Sequence, residues 1–373
     1  DFKEISLDGT KLQAVSSKRK SMRSKDLEVN IKKVEKDISD YLAESQKEDA
    51  GLDGLLRKKE KLMKAKEVLE KRKTEIRPES RDTHQVNIEE TEATMHSIGV
   101  NRGGINGYNL QVSTDTKTQL IVSSQVVQDR NDEKQFLNQN ENTEKILGSD
   151  RDRVYLADSG YNTHQTISEI YKRRINAYIA NRLKSRSTEE KISKSKRFSR
   201  EDYIYDRTAD CYICPSGEKL PYLKTENNQF FRGRRYKKEN CSNCEIKNLC
   251  IAPNNRTGSR EIRRDIREEY VEKMRERMGT QEAKEKMIIR KTTVEAVIGN
   301  IKSNMGYSRF RLKGLLAVNG EFTLMCIGHN LNKLFKLIGN GFFDPIIEKV
   351  LQIIVKISRS SKIMLFERKF VFC

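Results

Sequence analysis

The order of strand and helix patterns along this chain limits the folds that it can adopt. Residues 5–14 read as a first strand, and a long helical region follows. Residues 108–113 and 120–127 then alternate on either side of a short turn, as the two strands of a hairpin do. Helix and strand patterns alternate after that, at residues 133–147, 154–157, 165–174 and 176–180. The sequence therefore predicts an antiparallel beginning, followed by parallel strands that helices connect.

This connectivity is that of a ribonuclease-H-like fold, so we expect an α/β protein with a mixed sheet flanked by helices. A helical hairpin and a small Cys-rich segment are expected to be inserted into it. The predicted domains are a catalytic core at residues 1–15 and 103–182, a helical insertion at 16–102, a basic Cys-rich insertion at 183–285, the last core helices at 286–340 and a C-terminal tail at 341–373.

The helical insertion is predicted from apolar residues that recur at spacings of three and four. One stripe runs from Leu27 to Leu42 and a second from Leu55 to Leu69, with a break at residues 48–51. We interpret the stripes as an antiparallel helical hairpin, with a coiled-coil dimer as the alternative. Residues 78–101 are expected to form a loop with modest structure, and residues 262–286 a charged helical region.

The charge of the chain favours a polyanionic partner. Its 373 residues include 73 Lys and Arg against 54 Asp and Glu, a formal net charge of +19. Nucleic acid is the usual partner of such a protein, although a merely basic protein is the plainer alternative. No apolar stretch approaches the roughly 20 residues that span a bilayer. Residues 1–4 lack the pattern of a secretory leader, and a strand so close to a first residue that is not Met leads us to expect a missing upstream domain.

Three acidic residues lie where metal-dependent DNA chemistry would need them. Asp8 and Asp158 each end an apolar strand pattern, and Glu295 lies in a helical pattern. If these side chains meet, their carboxylates repel one another unless cations neutralise them, which indicates a site for Mg²⁺ or Mn²⁺. The nearby basic residues that we expect to contact DNA phosphates are Arg290, Lys291 and Lys302.

Each acidic segment also has a plainer interpretation. Asp-Gly-Thr and Asp-Ser-Gly are ordinary turn sequences, and Glu295 alone is simply a helix residue. Asp115 competes with Asp8 for the role of first acid, but it lies in the hairpin turn, whereas a strand end holds a catalytic group rigidly. Asp132 is a weaker competitor for the same role.

Four segments, in this order, resemble the DDE transposases of bacterial insertion sequences, a group with a ribonuclease-H-like catalytic core. The resemblance covers nearly all of residues 4–340. The segments are "LDGTKLQA", "YNLQVSTDTKTQLIVSSQV", "YLADSGYNT", and "RKTTVEAVIGNIKSNMGYSRFRLKGL" followed by "EFTLMCIGHNLNKL". The resemblance implies metal-dependent cleavage of double-stranded DNA and transfer of transposon ends to a target, by a homodimer on the DNA.

The resemblance also assigns roles to single residues. It makes Asp8, Asp158 and Glu295 the catalytic acids. Related transposases carry a spaced group of Tyr, Arg, Glu and Lys around the third acid. Here Glu295 and Lys302 match, Lys291 stands at the arginine position with Arg290 next to it, and isoleucine replaces the tyrosine.

Our leading hypothesis is therefore a DNA transposase of the bacterial cytoplasm, associated with the nucleoid and not with a membrane. A catalytically inactive or truncated DNA-binding protein derived from a transposase is the alternative. A nuclease of the same fold is a third interpretation, which differs only in lacking the joining of ends.

Five of the seven cysteines lie between residues 211 and 250. Cys211 with Cys214, and Cys241 with Cys244, are C-x₂-C pairs of the kind that hold a tetrahedral zinc ion, while Cys250 is a fifth potential ligand. Which four would bind is open at this point, and an iron–sulfur cluster or metal-free packing are the alternatives. Clustered thiols in a chain without a secretory leader indicate a reducing compartment. One branch of the resembled family carries a cysteine-rich insert here.

A run of basic residues lies between the cysteine pairs. Arg234 and Arg235 belong to this run, which spans residues 232–238, and we expect both to lie on DNA phosphates. A solvated β-hairpin is the alternative interpretation.

Overall fold

The computed structural model describes residues 2–44, 50–74, 78–97, 103–181, 197–228, 231–253, 255 and 258–339. The expected C-terminal tail and residues 183–196 of the expected Cys-rich insertion lie outside these ranges. The first half contains β1 (Glu4–Gln13), β2 (Ser21–Met22), α1 (Ser24–Glu44), α2 (Ala50–Thr74), β3 (Val86–Asn87), β4 (Thr94–Ser97), β5 (Gly104–Asp115), β6 (Ile121–Val127), α3 (Gln135–Leu147), β7 (Val154–Ala157), α4 (His164–Arg173) and β8 (Asn176–Ile179). The second half contains β9 (Ile204–Asp206), β10 (Cys211–Ile213), β11 (Lys219–Asn228), β12 (Phe231–Lys237), α5 (Lys247–Cys250), β13 (Glu261–Asp265), α6 (Glu268–Met278), α7 (Gln281–Gly299) and α8 (Leu315–Gly339).

A mixed sheet organises most of these elements. Its strands lie in the order β4–β5–β1–β7–β8. Strand β6 also pairs with β5, along the residues that follow the part of β5 paired with β4. Strands β4, β5, β6 and β1 pair antiparallel, whereas β1, β7 and β8 run parallel to one another. The hairpin and both later strands were predicted from the sequence and are confirmed.

Helices cover both faces of this sheet, because strand β1 sends alternate side chains to opposite sides. Ile5 and Leu7 pack with Phe136 of α3 and with residues of α4 and α6. Leu12 lies on the other face, in a cluster with Val294 of α7 and with residues of α8. The result is a three-layer α/β arrangement with two cores, one on each side of the sheet.

Strand β4 corrects the expectation of a loop at residues 78–101. Thr94–Ser97 pairs with Gly104–Gly107, so the strand depends on its partner and not on a pattern of its own. Gly107 lies inside β5, although the glycines there suggest a break. A Cβ on Gly107 would lie 2.2 Å from the carbonyl oxygen of Leu12, so only glycine permits this close pairing of β5 with β1.

The helical hairpin has the predicted helices. Helices α1 and α2 pack antiparallel, since Glu28 reaches Lys66 and Glu35 reaches Lys59. Their apolar stripes form a core of their own, which includes Val86 of β3. Leu42 was predicted to belong to the stripe, but 61% of it is exposed.

A second, antiparallel sheet has the strand order β13–β12–β11–β10–β9 and packs around buried tyrosines. The predicted helix at residues 262–286 is wrong in its first part, because Glu261–Asp265 is strand β13, paired with β12. Helix α6 follows it and packs against α4 and β8 of the main sheet. In the part of the chain that the structure describes, no helix is long and apolar enough to cross a membrane.

Candidate active site

Asp8 and Asp158 lie next to each other where strand β7 ends. Strand β1 is ten residues long, but β7 pairs only with Glu4–Ser6. The register joins Ser6 to Leu156, so two residues further along the same register reaches Asp8 and Asp158. Among the described residues, β1 has no further strand pairing on this side until an isolated parallel bridge joins Gln13 to Arg309. The two predicted aspartates are therefore brought together.

The loop after β7 holds Asp158 in place. Its carboxylate accepts a hydrogen bond of 2.9 Å from the backbone N–H of Gly160 and so caps the short helical turn Ser159–Tyr161. A Cβ on Gly160 would lie 3.0 Å from Asp158 Oδ1 and 3.7 Å from Asp132 Oδ2. Asp132 therefore lies close to Asp158.

Asp132 is held by several side chains of the sheet. Its Oδ1 accepts hydrogen bonds from Lys11 Nζ at 2.9 Å, Asn109 Nδ2 at 2.8 Å and Gln111 Nε2 at 2.6 Å. A Cβ on Gly9 would lie 2.3 Å from the same oxygen, so the glycine leaves room for this carboxylate. The sequence ranked Asp132 below other acids, yet it lies beside Asp8 and Asp158. The glycine at position 9, directly after Asp8, was a hint that another group lies close to β1. The sequence alone does not show that this group is Asp132, because the contact forms only in the folded chain.

Burial and charge make Asp8 unusual among the carboxylates of the chain. Burial is the largest cause that raises its pKa to about 6, Arg290 partly offsets this effect, and Asp158 and Asp132 add to it. Arg290 Nη2 lies 3.2 Å from Asp8 Oδ1. The guanidinium is itself buried, and its Nε has no hydrogen-bond partner among the described residues. The predicted contact of Arg290 with DNA stays a prediction; in the structure its guanidinium forms an ion pair with Asp8.

Lys302 also lies close to this group. It follows α7 in a π-helical turn, Asn300–Asn304, and its Nζ donates a hydrogen bond of 2.8 Å to the carbonyl oxygen of Lys11. Burial lowers the pKa of Lys302, Lys11 lowers it further, and Asp8 raises it. Lys302 is therefore within electrostatic range of the first acid.

Glu295 is not joined to the other two predicted acids. Helix α7 buries Arg290, Thr293, Val294 and Val297, whereas Glu295 is exposed. Among the described residues it has no hydrogen bond or ion pair. Across these same ranges, no group of three or more His, Cys, Asp and Glu side chains is arranged to hold a metal ion.

The remaining basic candidates differ in their surroundings. Lys291 is exposed on α7. Arg234 pairs with Asp210 at 2.9 Å. Arg235 pairs with Glu226 at 2.5 Å and with Glu261 at 3.0 Å. DNA phosphates would have to compete with these carboxylates for both arginines.

Asp115, the competing candidate for the first acid, stabilises the hairpin turn. It lies at the end of β5 opposite Ile5, and therefore away from Asp8 along strand β1. Its Oδ2 accepts hydrogen bonds from Thr118 N at 2.8 Å and Thr118 Oγ1 at 2.6 Å. These contacts close the hairpin turn, so they account for Asp115 without a catalytic role.

The five clustered cysteines separate into four and one. Cys214, Cys241, Cys244 and Cys250 line one small cavity, whereas Cys211 does not. The two C-x₂-C pairs therefore do not meet as pairs.

Part of the chain matches a known protein family. Residues 213–335 match the model of a family described as "Transposase DDE domain". The match supports a DDE transposase. It includes Arg290, Glu295 and Lys302 and leaves Asp8 and Asp158 outside. No curated protein and no solved structure matches the chain.

Proposed function

We propose that this chain is a DDE transposase of a bacterial insertion sequence, which cuts double-stranded DNA and transfers the cut ends to a target. The observation that carries the proposal is the position of Asp8 beside Asp158 at the end of β7. The strand order β6–β5–β1–β7–β8 supports a ribonuclease-H-like core. The DDE family match in the later part of the chain supports the same conclusion independently.

The chemistry of the donors fits divalent metal ions. Asp8 is mostly buried, and its pKa of about 6 means that it is ionised at pH 7.5 with Asp132 and Asp158 nearby. Bound Mg²⁺ or Mn²⁺ would offset this repulsion and stabilise charge on the attacking and leaving oxygens of phosphodiester displacement. We assign Asp8 and Asp158 as ligands from their adjacency.

The third carboxylate is either Glu295 or Asp132. Glu295 is the residue that the sequence resemblance assigns, and helix α7 would have to turn or shift to bring it to the aspartates. Asp132 already lies beside them, but Lys11 and two amides occupy its Oδ1. We keep Glu295 as the catalytic acid and assign Asp132 to positioning Lys11 next to the site.

The basic residues around the site fit a DNA substrate. Arg290, Lys302 and Lys11 lie at the part of β1 that extends past its pairing with β7, and the chain carries a formal net charge of +19. A DNA backbone bound there would be neutralised in part by these cations. Homodimerisation on paired ends, and action at the bacterial nucleoid, belong to this proposal through the resemblance alone.

A cleavage assay tests the proposal. The substrate is a plasmid that carries the genomic sequences flanking the coding region, incubated with protein and Mg²⁺ or Mn²⁺. Wild type is expected to cut at the flank ends, and Asp158→Asn to lose cutting by at least about a thousandfold while still shifting the DNA in a gel. Asp150→Asn is the control, because Asp150 lies on the surface and pairs with Lys3.

Three outcomes separate the alternatives. Equal cutting by Asp158→Asn and wild type would overturn the proposed site. DNA binding without cutting by any version favours the inactive DNA-binding protein. Cutting without joining of pre-cut ends to a target favours a nuclease. Parallel tests of Glu295→Gln and Asp132→Asn decide the third acid, because only loss of a metal ligand should be partly rescued by changing Mg²⁺ to Mn²⁺.

A further inference from the structure

Helix α8 presents an apolar face to the outside of the protein. Its inner face packs on the main sheet and buries Val318, Phe322, Met325, Cys326 and His329. Large apolar side chains line the opposite face, where 48% of Ile327 and 89% of Leu316 are exposed. The six exposed side chains are Leu316, Leu324, Ile327, Leu331, Phe335 and Ile338. A helix that is apolar on both faces is typical of one that packs against two neighbours.

Hydrogen bonds fix which face of α8 points outward. Asn319 Oδ1 accepts a hydrogen bond of 3.0 Å from Val126 N, and Asn330 Oδ1 accepts one of 2.8 Å from Ile121 N. Asn330 Nδ2 also donates to the carbonyl oxygen of Ile121 at 2.8 Å. Both asparagines hold α8 against strand β6. The helix therefore cannot turn its outer residues toward the core without breaking these bonds.

The outer face follows the spacing of a coiled-coil seam. Starting at Gly320, the seam residues recur at alternating intervals of four and three. They are Gly320, Leu324, Ile327, Leu331, Leu334 and Ile338. This is the a/d pattern of heptads, through which two helices interlock their side chains. No seam position carries a charge.

We propose that α8 pairs along this seam with α8 of a second copy of the chain, antiparallel about a two-fold axis. A two-fold pairing uses the same surface on both copies, and this seam is complementary to itself. Ile327 lies opposite the partner's Leu331 in such a pair. Leu324 lies opposite the partner's Leu334. The core of the interface is then formed by large aliphatic side chains alone.

Gly320 supports the close approach of a second helix. Glycine weakens a helix interior relative to alanine, so an exposed glycine there needs a reason. No described atom of the chain outside its own helical neighbourhood lies within 4 Å of the place that a Cβ on Gly320 would occupy. The described part of the protomer thus supplies no such reason. In the antiparallel pair Gly320 lies opposite the partner's Ile338, so the smallest seam residue faces a bulky one.

The size of the outer face suits a dimer. From Leu316 to Ile338 it extends for about 33 Å along the helix. At about 150–200 Å² for each large residue when fully exposed, the six exposed residues offer roughly 700 Å² of mostly apolar surface. An interface of standard size takes about 800 Å² from each partner. A patch of this extent is also larger than those that monomers usually expose.

The mass of the full-length protein in solution tests the dimer. Light scattering coupled to size-exclusion chromatography, without DNA, is expected to give wild type the mass of two chains. Ile327→Lys and Leu331→Glu are each expected to give the mass of one chain, because each places a charge in two apolar pairs of the seam. Ile146→Lys is the matched control and should stay dimeric, since Ile146 is 61% exposed but belongs to α3.

A mixture of the two seam variants tests whether the partner is a second copy. When one Ile327→Lys chain pairs with one Leu331→Glu chain, the new ammonium meets the new carboxylate at one contact. The unchanged Leu331 and Ile327 meet at the other. The mixture is therefore expected to recover dimers that neither variant forms alone. Recovery cannot arise if a different protein, or another segment of the same chain, covers α8.

Three results would overturn the proposal. They are wild type that stays monomeric up to about 100 μM, dimeric Ile327→Lys, and a mixture that stays monomeric although both variants keep the circular dichroism spectrum of wild type. The proposed dimer forms without DNA and does not rest on the proposed function. Its failure would therefore leave the cleavage site unaffected.

Discussion

Replacing Asp8 by Asn should make the metal-free protein more stable at neutral pH. Asp8 is mostly buried, and this burial together with Asp158 and Asp132 outweighs the attraction of Arg290. The folded protein therefore pays a free-energy cost to keep this carboxylate ionised. Asparagine has nearly the same shape and removes the charge, while its oxygen still accepts a hydrogen bond. A gain in stability on removing such a charge is typical of functional sites, where groups are held for a ligand at a cost to the fold.

The size of the effect follows from the pKa of Asp8. The pKa rises from 3.8 to about 6 on folding, and one pKa unit corresponds to about 1.36 kcal/mol. The ionised carboxylate thus destabilises the folded state by about 3 kcal/mol at pH 7.5. Because the folded pKa is the higher one, the folded state binds more protons, and stability falls as pH rises from about 4 to about 6. The advantage of Asp8→Asn should therefore be near zero at pH 3 and roughly half complete at pH 5.

Urea unfolding followed by circular dichroism in EDTA measures this difference. Asp150→Asn is the control, because hydrogen bonding to Lys3 lowers the pKa of Asp150, so its removal should give no gain. Adding Mg²⁺ at about 100 times its dissociation constant should stabilise wild type by about 2.7 kcal/mol. Asp8→Asn should gain less stability from the same addition, because it lacks one of the proposed ligands. If Asp8→Asn is no more stable than wild type at pH 7.5 in EDTA, the electrostatic argument is refuted.

Three other substitutions have defined expectations. Arg290→Gln should bind Mn²⁺ about tenfold more tightly than Lys291→Gln, because the metal no longer competes with the buried guanidinium for the carboxylate of Asp8. Calorimetric titration measures the two affinities, and weaker binding by Arg290→Gln would contradict the expectation. Glu268→Gln should lose about 3–5 kcal/mol in urea unfolding at pH 7, because this buried glutamate pairs with the guanidinium of Arg200 and shares a hydrogen bond with His164. Burial raises the pKa of Glu268, but these two partners lower it to about 2; a loss below about 1 kcal/mol would count against this. Gly107→Ala should lower the free energy of unfolding by about 1–3 kcal/mol in the same assay, because the added Cβ would overlap the carbonyl oxygen of Leu12. An unchanged urea midpoint would mean that β5 and β1 can move apart at this point without cost.

The sequence predicted those elements that carry their own hydrophobic period. Strands β1, β5, β6, β7 and β8 and helices α1 to α4 each show the alternation or the helical stripe of their class. Strands β4 and β13 lack such a pattern and exist because a partner strand supplies their hydrogen bonds. Ile262 illustrates the difficulty, since it begins a charged region that resembles a helix until β12 is placed beside it.

The site was predictable where it depends on strand ends and unpredictable where it depends on distant contacts. Asp158 follows the end of β7 as expected, but Asp8 was expected to end a strand and instead lies inside β1. The two residues are close because the parallel register of β1 with β7 places them at the same level. Asp132 lies in the segment after β6, and only its contacts with Lys11 and Gln111 reveal its position. The cysteines are a similar case, because Cys211 does not line the cavity that Cys214 shares with Cys241, Cys244 and Cys250, although the C-x₂-C spacing had grouped Cys211 with Cys214.

The acids and bases of the site form a balanced set. Arg290 pairs with Asp8, Lys11 pairs with Asp132, and Lys302 lies within range of Asp8. Each cation occupies a place that a metal ion or a phosphate would compete for. If divalent ions neutralise the carboxylates, these cationic side chains lose their partners and become available to the DNA phosphates of the proposed function. The comparison of Arg290→Gln with Lys291→Gln measures this exchange, since both remove one positive charge from α7 but only Arg290 contacts the carboxylate.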